Sequence, residues 1–364
     1  MFPVMTSASK LNGIAFCLLL ASMLVYSVPK VVEFSRTQTN ALELFLDGRL
    51  LRQLEATYDR EFILRDGSIQ AWADLQYLLF GEGSSGVVLG RDGWLFTSEE
   101  YVIPNGYARE VEQHVARIAE VGDRLRQHDK RLILIPVPMK LDIYSEYADR
   151  QYDARTPGLY DDFVTRLLAS RVETTPVRDT FLQAKADTPL FLKTDTHWSP
   201  QGASLAAKRL ASAHPELVGQ SGYASQQVAE QTYPGDLLNF IQVSDWLPPA
   251  RLGGDDIPVF ETVNREPAAD DAQLFGEAGE SIMLVGSSYT KIDAWNFPGF
   301  LKEALQSDLL TTAVEARGPF QAMDDFLAGQ YLDDPGIKTV IWEFPVRTLL
   351  AQKASSPIWQ PASH

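Results

Sequence analysis

Cysteine is all but missing from this chain: Cys17 is the only one, and it lies inside an N-terminal apolar run. No disulfide framework and no thiolate metal site can therefore be built in the rest of the sequence. Positive charge is also in short supply. The formal net charge is -16, the opposite of the electrostatic footprint of a nucleic-acid binder, so a polyanion would need a local basic patch working against the overall field. There is no internal repeat, which removes solenoid and propeller architectures. Histidine is sparse, with five in 364 residues. One well-placed histidine with scattered carboxylates does not make a zinc-type ligand set, so neither a metal nor any other cofactor is expected. What remains is a globular composition, with 45% hydrophobic and 22% charged residues, long enough for one large domain or two smaller ones.

The one long hydrophobic run stretches from Leu11 to Pro29 without a charge and is flanked by Lys10 and Lys30. As a helix it would be about 28 Å long, close to the thickness of a bilayer core. Its end, Val25-Tyr-Ser-Val-Pro29, is a poor signal-peptidase site, and Phe16 before Cys17 argues against a lipoprotein box. Residues 1–30 thus read as an uncleaved signal anchor, with a cleaved signal peptide as the alternative. The body of the chain is then expected outside the cytoplasm.

Residues 31–80 carry an amphipathic, highly charged helical pattern and read as an extracytoplasmic linker. Gly81-Glu-Gly-Ser-Ser-Gly86 marks the boundary to a domain spanning 81–364. Within it, Val87–Leu89 and Trp94–Phe96 around Gly90-Arg-Asp-Gly93 predict a hairpin. Helices are expected over 110–128, 160–170, 199–213, 297–305 and 319–327. The apolar runs 131–138, 189–192, 281–285 and 338–345 predict buried strands. Residues 219–279 are polar and proline-rich and are expected as a long irregular insertion. Strands alternating with amphipathic helices give an α/β fold, a three-layer α/β/α domain.

In open α/β sheets, functional side chains gather beyond the carboxyl ends of strands. Three stretches qualify: Pro138–Lys140, Lys193–Trp198 and Gly286–Tyr289. Asp195 and His197 stand two residues apart, so in an extended segment they share a face, just before a helix start marked by Ser199 and Pro200. A carboxylate there can fix the imidazole tautomer, and Ser288, on a glycine-containing turn after a strand, completes a Ser-His-Asp set. Taken singly, each feature has a plain alternative: a hydrogen-bonded structural histidine, or an ordinary Gly-Ser turn. His114 and His128 fall on a charged helix, His214 precedes a proline and His364 is terminal. None of these four has a partner at useful spacing.

The run Lys193-Thr-Asp-Thr-His-Trp-Ser-Pro-Gln-Gly-Ala203 resembles the signature of the AlgX/AlgJ-type alginate O-acetyltransferase family, whose domains are SGNH-hydrolase-like. Further matches follow in the same order: Gly90-Arg-Asp-Gly-Trp-Leu-Phe96, Pro136-Val-Pro-Met-Lys140, Gly235-Asp-Leu-Leu238, Gly286-Ser-Ser-Tyr289, Trp295-Asn-Phe297, Gly318-Pro-Phe320 and Trp342-Glu-Phe-Pro345. The resemblance implies Asp195 and His197 as the Asp-x-His pair and Ser288 as the nucleophile. The chain stops soon after Arg347, so it is expected to resemble the single-domain, membrane-anchored members more than those with a carbohydrate-binding module. Ser287 stands where related hydrolases have aspartate, a departure that weakens the analogy to simple hydrolysis.

The Ser288 backbone N–H is expected in an oxyanion hole, with Tyr289, Asn296 or Arg317 as second donor. Lys140, Trp198, Trp295 and Arg347 are candidates for the sugar site, with core packing, or an Arg347–Glu343 pair, as the competing explanation. The expected function is O-acetylation of an exopolysaccharide, alginate or a cellulose-like polymer, through an acetyl-serine. The acidic charge leans toward a neutral polymer. The expected place is the periplasm, on the inner membrane, beside other secretion subunits. A membrane-bound O-acyltransferase is implied as acetyl donor. The alternatives are a carbohydrate acetylesterase and a non-catalytic polymer-binding subunit of a secretion complex.

Overall fold

A computed structural model describes residues 4–38, 41–62, 65–80, 83, 86–265, 281–315 and 318–350. The chain divides into two compact units, Met1–Trp72 and Ala73–His364. The first contains helices α1 (Val4–Thr37), α2 (Ala41–Leu46) and α3 (Arg49–Glu61), and the division falls within α4 (Arg65–Phe80). Lys10–Thr37 of α1 is long and apolar enough to cross a membrane, with a mean hydropathy of 2.0 and no part of that window buried against protein. Near its end, Ser27 Oγ lies 2.7 Å from the Tyr58 hydroxyl, and the Tyr26 ring meets Tyr58 and Phe62 edge-on. Of the loop 81–86, only Gly83 and Gly86 are among the described residues.

The second unit begins with β1 (Val87–Leu89) and β2 (Leu95–Thr97), paired antiparallel as the Gly90–Gly93 turn predicts. That turn needs Asp92 and Gly93 in the left-handed region, at φ 56° and 79°. There follow α5 (Tyr107–Gln127), β3 (Arg131–Val137), α6 (Lys140–Ile143), α7 (Thr156–Ala169), β4 (Glu173–Thr174), α8 (Arg178–Ala184) and α9 (Pro200–Ala213). Next come β5 (Tyr223–Tyr233), β6 (Asp255–Asn264), β7 (Ser281–Gly286), α10 (Ser288–Lys291), α11 (Phe297–Leu305), β8 (Leu309–Ala313), α12 (Gln321–Ala328) and β9 (Ile337–Pro345).

Five of these strands form one sheet in the order β4-β3-β9-β7-β8, and every pairing is parallel. Successive side chains of a strand point to opposite faces, and the two cores are sorted accordingly. Ile133, Ile135, Ile282, Leu284 and Ile341 pack with Phe181 of α8, Ala203 and Leu210 of α9, and Leu301 of α11. Their neighbours Leu132, Leu134, Met283, Val285, Val340 and Trp342 pack on the other side with Ile118 of α5, Phe163 of α7 and Met323 of α12. Burial on both faces is why these strands read as continuous apolar runs. The predicted α/β/α layering is therefore what the chain adopts.

Two expectations are corrected. Residues 189–192 do not join the sheet. The chain folds back on itself there, with Leu192 N–H donating to His197 O (3.2 Å) and Ser199 N–H to Leu190 O (2.9 Å), leaving only the bridge between Phe191 and Trp198. The 219–279 segment is not irregular where it is described, since β5 and β6 form a two-stranded antiparallel ribbon. Its strands are largely exposed, so they lack the apolar alternation that signals a half-buried strand. Residues 266–279 of that segment lie outside the described residues. The sheet strands β4 and β8, short and at its two edges, were not anticipated.

Candidate active site

The helix α9 fixes one side of the site. Ser199 caps it by accepting from Gly202 N–H (3.1 Å), with Pro200 as first helical residue. The turn before it is held from three directions. The Lys140 ammonium donates to the carbonyls of Leu95 (2.5 Å), Lys193 (2.9 Å) and Asp195 (2.9 Å), spending all three protons on backbone. The Asp255 carboxylate accepts from Lys193 N–H, Thr194 N–H and the Thr194 hydroxyl at 2.5–2.9 Å. Asp236 accepts from Thr196 N–H (2.8 Å) and the Thr196 hydroxyl (2.6 Å). Gly235 permits this approach, because a Cβ there would lie 2.0 Å from Thr194 O.

Inside that frame, Asp195 is buried and fully engaged. One oxygen accepts from His197 Nδ1 (2.6 Å) and His197 N–H (2.8 Å), and the other from Asp236 N–H (2.8 Å). Burial pushes its carboxyl up, but the hydrogen bonds and charge of His197, with the Asp236 N–H, outweigh this and hold it below the usual range. His197 Nε2 lies 2.7 Å from Ser288 Oγ. With Nδ1 committed as donor to Asp195, Nε2 is left as the acceptor for the serine proton.

Ser288 opens α10 directly beyond β7, on a turn too tight for a side chain at Gly286, where a Cβ would lie 2.1 Å from Thr290 Oγ1. Ser287 caps this short helix by accepting from Tyr289 N–H. The Ser288 backbone N–H has no acceptor among the described residues. Behind the turn, the buried Glu343 carboxylate accepts from Ser287 N–H (3.0 Å), the Ser287 hydroxyl (2.9 Å) and the Thr290 hydroxyl (2.6 Å). Burial pushes its carboxyl up.

The structure thus brings Ser288 into hydrogen-bonding contact with the Asp195–His197 pair although it lies 91 residues further along the chain. The other candidates are distributed differently. Lys140 is buried and occupied with backbone, and burial pulls its amine down to about 8. Trp198 is fully buried, with its indole N–H donating to Tyr289 O (3.2 Å). Trp295 is also fully buried and stacks on the His197 ring, with centroids 5.5 Å apart. Arg347 reaches Glu99 and Thr196 Oγ1, each at 3.4 Å, and is not the partner of Glu343. The Tyr289 hydroxyl donates to Thr196 O (2.6 Å), and Asn296 Nδ2 to Thr262 Oγ1 (3.0 Å). Arg317 lies outside the described residues.

Sequence reasoning passed over Asp236 and Asp255 and placed Glu343 only as a candidate partner of Arg347; these three carboxylates brace the site. Asp236 and Glu343 lie within the quoted Gly235–Leu238 and Trp342–Pro345 motifs, which is the signal that marks them. His214, expected to be without a partner, is bonded to Thr175 (2.8 Å) and Arg131 (3.2 Å). Among the described residues, two groups of side chains have metal-ligand proximity, Asp195–His197–Asp236 and Glu173–His214–Glu216. In the first, both carboxylates already have each oxygen engaged by protein donors.

Comparison with known proteins agrees with this architecture. Residues 87–346 match the family described as "SGNH hydrolase-like domain, acetyltransferase AlgX". The chain is 35% identical to the "probable alginate O-acetylase AlgJ" of Pseudomonas aeruginosa over 92% of its own length and 88% of that protein. A solved structure, the O-acetyltransferase domain of Pseudomonas putida AlgJ, superposes with a TM-score of 0.65 at 32% identity, covering 74% of this chain and 94% of that one. Pseudomonas aeruginosa AlgX, at 20% identity and a TM-score of 0.53, shares the fold over 77% of this chain and 70% of that one.

Proposed function

Because this chain belongs to the family of SGNH hydrolase-like AlgX acetyltransferases, we propose that it moves acetyl groups onto an exopolysaccharide through an acetyl-Ser288 intermediate. The enzyme is an O-acetyltransferase acting on polysaccharide hydroxyls, and the relatives named for alginate make that polymer the first acceptor to test. The observation that carries the reading is the unbroken chain Asp195–His197–Ser288, with both ring nitrogens of His197 committed at 2.6 and 2.7 Å.

In the first half-reaction, Ser288 Oγ attacks the acetyl carbonyl of the donor while its proton passes to His197 Nε2. Asp195 stabilises the imidazolium, and the donor's leaving group departs with that proton. The free Ser288 N–H, at the start of α10, faces the oxygen that gains charge. In the second half, His197 takes the proton of a sugar hydroxyl, whose oxygen attacks the acetyl-serine. The C–Oγ bond breaks and Ser288 recovers its proton. The anchor helix holds this domain on the periplasmic side of the inner membrane. There a membrane-bound O-acyltransferase delivers the acetyl group, since acetyl-CoA is cytoplasmic, and other secretion subunits supply the polymer.

The test is transfer of isotope-labelled acetyl from an activated ester to an alginate oligosaccharide by the full-length chain in detergent. Labelled glycan from the wild type and none from Ser288→Ala is the expected result. Label released only as acetate would replace transfer with esterase chemistry, and equal labelling by both proteins would remove Ser288 from the reaction.

A further inference from the structure

Around His197, most polar side chains are already spent on one another. Both oxygens of Asp195 and of Asp236 are engaged, the Thr196 hydroxyl is bound to Asp236, and the Tyr289 hydroxyl to Thr196 O. Two groups are not. Tyr233, at the end of β5, is half-buried and packed against the larger core. Its hydroxyl has no hydrogen-bond partner among the described residues and is not sealed from solvent. Its ring meets Trp295 edge-on, with centroids 4.9 Å apart and planes at 61°. Trp295 in turn lies nearly parallel to the His197 imidazole, at 25°. The indole N–H of Trp295 is the second unspent group, buried and without a partner. A free phenol and an orphan indole N–H thus stand on two successive rings, Trp295 stacked on the imidazole and Tyr233 edge-on to Trp295.

The surroundings of Tyr233 say what it can hold. Burial raises its phenol pKa first, and the charges of Asp195, Asp236 and Glu315 raise it further, so it stays a neutral O–H. A neutral donor among three carboxylates suits the lone pair of an alcohol, whereas a ligand carboxylate at that point would meet like charge. Aromatic rings with a polar tip also tolerate the apolar and hydroxylated faces of a sugar. The ribbon carrying Tyr233 is tied to the catalytic turn through Asp255, so this placement is fixed by the fold.

We propose that Tyr233 is an acceptor-binding residue, its hydroxyl hydrogen-bonding a sugar hydroxyl next to the one that takes the acetyl group. The proposal rests on the acetyl-Ser288 reading and assigns Tyr233 to the second half-reaction. The experiment follows two signals in the full-length chain: the nitrophenol burst from p-nitrophenyl acetate, and acetyl transfer to alginate or cellulose oligosaccharides. Tyr233→Phe keeps the ring and removes only the hydroxyl. One lost hydrogen bond to substrate corresponds to about 2- to 10-fold. The expected result is a rise of that size in the KM for oligosaccharide, and a fall in transfer relative to burst amplitude. Unchanged transfer to both oligosaccharides overturns the proposal, as does a burst that slows in step with transfer, which would place Tyr233 in acylation. Absence of a burst in the wild type is a separate outcome: it sinks the acetyl-serine reading, and the assignment of Tyr233 to a second half-reaction with it.

Discussion

Of the three buried histidines among the described residues of the second unit, two, His197 and His214, are each set beside two carboxylates, and their ring nitrogens are engaged in opposite senses. His197 lies beyond the carboxyl ends of the sheet strands with Asp195 and Asp236, and His214 lies at the other end with Glu173 and Glu216. The difference is a guanidinium. Arg131, at the start of β3, pairs with both glutamates and donates to His214 Nδ1 (3.2 Å). An arginine can only donate, so Nδ1 must be the unprotonated nitrogen, and the Nε2 proton goes to Thr175 Oγ1 (2.8 Å). Both nitrogens of His214 are closed off within the fold. In His197 the tautomer is reversed: Asp195 takes the Nδ1 proton, and Nε2 faces the hydroxyl of Ser288. Proximity of histidine to carboxylates is therefore not the mark of a catalytic base. The mark is which nitrogen the fixed partner leaves available.

The comparison breaks most sharply at the carboxylates. Asp195→Asn keeps the shape but can hold His197 in the wrong tautomer, and acyl transfer is expected to fall about 10⁴-fold. The matching disruption at the other end, His214→Ala, is expected to leave burst and transfer rates within about twofold while costing about 1–2 kcal/mol of stability in denaturant unfolding. A fall in rate as large as that of Asp195→Asn would erase the distinction. Lys140→Met strips three carbonyls of their donor and is expected to cost about 3 kcal/mol or more, with rate falling as the 193–197 turn loosens.

The finest test is the sign of a pH slope within the active end. The Asp195 carboxyl is lowered on folding, so its contribution is present above its unfolded value of about 3.9 and is lost as pH falls through its folded value. The Glu343 carboxyl is raised, so its contribution is present below about 4.3 and is lost as pH rises through its folded value. As pH rises from about 2 to 4, the stability of Asp195→Asn relative to wild type should therefore fall, whereas that of Glu343→Gln should rise between about pH 4 and 7. Parallel slopes in urea titrations would contradict the two environments described here.

What the sequence made legible followed from local rules. The strands 131–137 and 337–345 announced themselves as apolar runs, α9 by Ser199 and Pro200, and the hairpin at Val87 by its glycine-aspartate turn. The Asp195/His197 spacing and the turn at Ser288 marked the three residues that meet in space. Long-range partners left no trace in spacing or periodicity, and only the Gly235–Leu238 motif singles out Asp236. Asp255 and Asp236 look like ordinary acidic residues of a polar loop until the fold carries them to the 193–197 turn. Lys140, Trp198 and Trp295 sit where strand ends suggest a binding surface, yet packing buries them. Tyr233 ends a strand without apolar alternation, so nothing in its neighbourhood in the sequence sets it apart.

The most direct measurement is the mass of the intact full-length chain after brief exposure to p-nitrophenyl acetate, followed by peptide mapping of the modified site. One added acetyl on the peptide containing Ser288, present in wild type and missing from Ser288→Ala and His197→Ala, is the expected result. No acetyl in the wild type, or the same acetyl in all three proteins, would contradict an acetyl-serine made by this triad.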